Sequence, residues 1–162
     1  MEKPAIVRIF PDYADTVLWL DRPVDYELAG LTPSLEQELK DWEQFYYDSL
    51  TRDFAWKAPD LPSFYAAEGN RLAQRLADEL GDGYEVQFTP YEENAVARRF
   101  RGTKSPNSRA VAAFDALVAA ARAEQDRISR ALAAHPPEEG TGWFAASPLS
   151  GNVFKPPRAG QE

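Results

Sequence analysis

RLAQRLADELGDGYEVQF, residues 71–88, changes its hydrophobic period in mid-course. Leu72, Leu76 and Leu80 recur every four residues, one stripe of an α-helix. Tyr84, Val86 and Phe88 then alternate with Glu85 and Gln87, the two-residue period of a strand with one buried face. Between them Gly81 stands where a helix stops, and Asp82-Gly83 supplies the turn. A one-sided helix feeding a one-sided strand requires a sheet with helices layered against it.

The flanking sequence extends this to an α+β fold. Upstream, Ala5–Phe10 (AIVRIF) and Thr16–Leu20 (TVLWL) read as strands, and Val24, Tyr26 and Leu28 alternate as a third would. Leu31-Thr32-Pro33 opens a helix with Thr32 at the N-cap and Pro33 in the first turn. Leu35, Leu39, Trp42, Tyr46 and Leu50 continue it along one face. Ser63 reads as the cap of the helix that ends at Gly81. Downstream, Pro90–Phe100 follows neither period, although Ala95-Val96-Ala97 suits a short helix. Gly102–Ser108 is a loop, and Ser108 caps a long alanine-rich helix over Arg109–Ala134. The expectation is a small, mostly antiparallel sheet with about three helices on one face. Residues 1–134 form one domain, followed by an extended Pro/Gly-rich tail over 135–162, with Trp143, Phe144, Leu149, Val153 and Phe154 available to dock it.

Composition narrows the function classes. The chain has 162 residues and no cysteine, which removes disulfides, thiolate metal sites and a cysteine nucleophile. The first residues are expected to carry no signal peptide, and no run of 18 apolar residues spans a membrane. A cytoplasmic protein follows as the expectation. Net charge is −8, unevenly placed. From Asp12 to Asp60 twelve acids face four bases, whereas Arg98 to Arg109 holds five bases and no acid. Such asymmetry acts on partner choice and association rate.

Catalytic chemistry finds little footing. The single histidine, His135, ends the long helix before Pro136-Pro137, where the helix dipole favours a protonated imidazole and no orienting partner is evident. No catalytic residue, metal ligand or cofactor is assigned. Neither phosphate-binding glycine motif occurs. The basic loop containing Arg98, Arg99, Arg101 and Lys104 is the one candidate for holding an anion. A pI near 4.8 argues against nucleic acid as a partner. Asp12 and Asp15, flanking Tyr13, read as solvated carboxylates of a turn.

The most distinctive segment is the first long helix with its connection. Eight of the chain's 20 aromatic residues fall within positions 42–65. Phe45, Tyr46 and Tyr47 are consecutive, so on a helix about 100° apart they cannot all face one core. Glu38, Asp41, Phe45 and Asp48 follow at helical spacing beside the buried face, and Tyr47 joins them as a partner-binding candidate. Carboxylates around large aromatics suit a basic protein surface. In charge and size this parallels immunity-type inhibitors of nuclease toxins, without any motif of such a family. The expected function is therefore a small acidic protein-binding module directed at a basic, nuclease-like protein. Two alternatives stand beside it: an enzyme pairing a carboxylate site with the basic loop, and a subunit of a larger assembly docked through its tail.

Overall fold

Residues 3–90 and 94–135 are described by a computed structural model, together with the backbone of two short strands, 145–146 and 153–154. The alternation at 84–88 produces strand β3 (Tyr84–Phe88), whose Tyr84, Val86 and Phe88 are buried while Glu85 and Gln87 stay half-buried. It pairs in parallel with β1 (Ala5–Ile9), Val7 opposite Val86. Two antiparallel neighbours complete the sheet. β2 (Leu18–Trp19) lies on β1 and β4 (Arg98–Phe100) on β3, giving the order β2-β1-β3-β4.

All helices lie against one face. The chain leaves β1, passes through α1 (Tyr26–Ala29), α2 (Pro33–Asp48) and α3 (Leu61–Leu80), and returns as β3. α3 packs on β3 so closely that Gly69 leaves no room for a side chain. A Cβ there would meet the Phe88 ring, at 2.6 Å from Cε1 and 2.9 Å from Cε2. Between α2 and α3 the apolar stripes meet around Trp42. Its ring stacks on Tyr65 at 4.8 Å and meets Phe88 edge-on at 5.5 Å, while its indole N–H donates to the Tyr65 carbonyl at 3.1 Å. Each such aromatic pair adds about 0.5–1.5 kcal/mol beyond the area it buries. α4 (Ser108–Ala134) closes the layer, sinking Ala110, Phe114, Val118 and Ala121 into the core.

Several sequence expectations shift. The alternation of Val24, Tyr26 and Leu28 makes no strand. Asp25 is extended, one helical turn follows, and Gly30 at φ 66° ends it, so Leu28 is 58% exposed. The cap of α3 is Asp60 rather than Ser63, and that of α4 is Asn107, whose side chain accepts from the Arg109 N–H at 3.1 Å. Ala95–Ala97 forms no helix and leads into β4, so the basic loop begins as an edge strand. Of the tail, β5 (Ala145–Ala146) and β6 (Val153–Phe154) pair antiparallel, and the docking expected of its aromatic side chains lies outside the described residues. No helix among the described residues is long and apolar enough to cross a membrane.

Candidate functional site

α2 presents three surfaces beyond its buried stripe of Leu35, Leu39, Trp42 and Tyr46. Asp41 and Asp48 are on the outer side, exposed, each accepting from a glutamine one turn back, Gln37 and Gln44, at 2.9 Å. Glu38 is on the flank toward α3, where Arg71 and Arg75 both bind its carboxylate. The Arg71 hydrogen bond chiefly, then Arg75, holds Glu38 below the usual carboxylate range against the opposing effect of burial. Its charge is therefore neutralised within the molecule. By spacing, Phe45 shares that flank, half-buried against the core.

Tyr47 lies on the opposite flank, under the turn that follows β1. The Tyr13 ring stacks on it at 4.7 Å with 22° between planes, and the Tyr13 N–H donates to its hydroxyl at 2.7 Å. Tyr13 and Asp15 both take left-handed backbone conformations, φ 53° and 59°, uncommon for side-chain-bearing residues. Glu43, one turn before Tyr47, completes this flank. Its Oε2 is buried and without a hydrogen-bond partner. Burial, then the charge of Asp15, pushes the Glu43 carboxyl above its ordinary range. Burial likewise raises the Tyr47 phenol, with Glu43 and Asp12 adding to it and the Tyr13 N–H opposing. The five residues expected to form one binding stripe thus divide between two flanks and an outer edge. Tyr13, Glu43 and Asp15 join the second flank. The signal for Tyr13 was a large ring set among the acids of a turn, and nothing in the sequence linked it to Tyr47, 34 positions away.

The basic residues are divided between a strand and the loop that follows it. Arg98 and Arg99 occupy adjacent positions of β4 and so point to opposite faces of the sheet, Arg99 lying 3.8 Å from Glu85. Beyond the strand, the Arg101 carbonyl accepts from Gln74 at 2.8 Å. In the loop, the Thr103 N–H and hydroxyl both donate to Asp78 Oδ1, at 2.9 and 3.1 Å. Burial disfavours the Asp78 carboxylate, yet these bonds, Gln74 and the charge of Lys104 together hold it below its ordinary range. The loop is fastened to α3 by the chain's own carboxylate. Among the described residues no group of three or more acids or histidines is placed to hold a metal ion.

The model of one protein family, described as Serratia CdiI immunity protein-like, matches residues 5–91, more than half of the chain. The chain belongs to that family. The matched span runs from β1 to just past β3 and contains the turn, α2 and α3. No curated protein matches the chain. Family membership makes this an immunity-type protein-binding module and suggests a protein partner. Both flanks and the outer edge of α2 fall inside the family's span, whereas the basic loop and α4 fall outside it.

Proposed function

We propose that this protein is an immunity-type inhibitor acting in the cytoplasm on a basic, nuclease-like protein, which it engages through α2. The observation that supports this is the coincidence of the family's span with the acidic stretch Asp12–Asp60, where twelve acids meet four bases. Complementary charge speeds encounter, and a few aromatic anchors then slow release. Asp41 and Asp48 are the exposed charges of the surface, with Tyr47 and Phe45 as aromatic contacts on its two sides. Glu38 serves differently from the others, because its carboxylate already binds two arginines and orients the flank rather than meeting the partner as a free charge. For the same reason the donors of the 101–104 loop give the enzyme reading no support.

The test is capture from the source organism's lysate on immobilised protein, with nucleic acid digested, followed by mass spectrometry. A single basic protein retained stoichiometrically is expected. It should elute at high salt and be lost when Asp41→Lys and Asp48→Lys are combined, two substitutions that disturb no cation inside the fold. Retention of an acidic partner, or binding indifferent to both salt and charge reversal, overturns the proposal.

A further inference from the structure

We infer that residues 143–154 of the tail fold back onto the body and occupy a groove between the 20–28 segment and α4. The inference stands apart from the α2 surface and from the identity of the partner.

The groove has a volume of about 420 Å³ and is walled by Leu20, Pro23 and Leu28 on one side and by Leu117, Ala120 and Ala121 on the other. Leu28 is 58% exposed there. The charged lining is largely paired within the molecule, Glu124 binding Arg127 and Asp21 binding Arg22. A fitting occupant therefore brings apolar surface and little charge.

α4 shows the same deficit beyond the groove. It runs for 27 residues, yet the last side chain it sinks into the core is Ala121. The remaining Arg122–Ala134 make about 20 Å of helix. Ile128, one turn beyond Glu124 of the groove wall, is 48% exposed, and Leu132 follows it at helical spacing. Helices in proteins draw most of their stability from a packed face rather than from propensity, and among the described residues this stretch packs none into the core.

The tail supplies what both surfaces lack. Residues 143–154, WFAASPLSGNVF, hold five large apolar residues among twelve and no charge. They include β5 and β6, whose backbones pair antiparallel, and a two-stranded pair is marginal in water until it packs on something. The chain is long enough for the contact. Ala121 lies about 20 Å back along α4 from His135, while the nine residues 136–144 extend to about 30 Å. So short a tether gives the segment an effective concentration in the millimolar range, which favours it over a separate molecule.

The chain has no cysteine, so Ser147→Cys in the full-length protein offers one attachment point for a nitroxide. Backbone amides around Leu28, Leu117 and Ala121 should broaden, and recover when the label is reduced. Leu28→Asp combined with Ile128→Asp, both at exposed positions, should abolish the broadening while dispersed spectra verify that the body is folded. Trp143→Ala should speed hydrogen exchange of the 124–132 amides about ten- to a hundredfold, the worth of burying one large apolar side chain. Absence of broadening in the groove, broadening spread evenly over the surface, or indifference to the paired substitutions would overturn the docking. Equal broadening from a nitroxide carried on a separate copy without isotope label would overturn it too, making a second chain the occupant.

Discussion

At Glu43 the fold disfavours a charge that the unfolded chain carries freely. Burial and the neighbouring Asp15 raise its carboxyl above the ordinary range, so ionisation is harder in the folded chain than in the unfolded one. Between the two pKa values the folded state holds on average more of this proton than the unfolded state does. The favourable contribution from protonated Glu43 is fully present below the unfolded value, about 4.3, and is lost as pH rises through the raised folded value. Glu43→Gln keeps the shape and removes the titration. The variant is expected to match the parent near pH 3.5 and to exceed it at pH 7, by less than about 1 kcal/mol because water partly screens the site. Taking the difference between the two proteins cancels the opposite slope from Glu38 and Asp78, whose carboxyls are held low. Urea midpoints measured from pH 3.5 to 7.5 check this; a gap that fails to open with rising pH refutes the burial argument.

Elements here are locked by single side chains reaching between them. Glu79, on α3, accepts from the Thr32 N–H at 3.1 Å and from its hydroxyl, so the cap of α2 is bonded across the fold instead of to its own helix. The same carboxylate accepts from Asn107 Nδ2 at 3.1 Å, tying in the start of α4. Glu79→Ala strands these donors at once and should cost about 2–3 kcal/mol, read as a lower urea midpoint at unchanged slope; a change under about 0.5 kcal/mol would show that water replaces the carboxylate. What was legible beforehand follows the same division between local and distant. α3 and β3 stood in the sequence because their periods are unbroken, and α2 because Thr32-Pro33 and its apolar stripe agree. The parallel pairing of β1 with β3 was not legible, since alternation is the same in parallel and antiparallel strands and three helices intervene. α1 was misread because Val24, Tyr26 and Leu28 alternate, while Asp25 and Gly30 decide the backbone. The candidate site was half visible. Acids and aromatics on α2 could be counted, but the neutralisation of Glu38 by Arg71, 33 positions away, and the Tyr13–Tyr47 stack exist only in three dimensions.

At the scale of the molecule, the family's span and the folding unit do not coincide. The span ends just beyond β3, yet β3 has a neighbour on either side, and the outer one, β4, comes from beyond it. Without β4 a run of backbone donors and acceptors stands open at the edge of the sheet, a template for association. α4 matters more. Phe114 is fully buried and meets Tyr84 edge-on at 5.8 Å, Tyr84 donates to Asp115 at 2.6 Å, and at Gly30 a Cβ would lie 2.7 Å from the Arg109 carbonyl. Loss of a buried phenylalanine alone costs about 3–5 kcal/mol, against a total stability of about 5–15 kcal/mol for a domain. Removing Ala110, Val118 and Ala121 with it adds to that loss. A chain cut after residue 91 is therefore expected to keep helical signal but lose its near-ultraviolet aromatic signal, bind a hydrophobic dye and unfold without a sharp transition. A sharp transition from the shortened chain would instead make α4 an appendage and confine stability to the family's span.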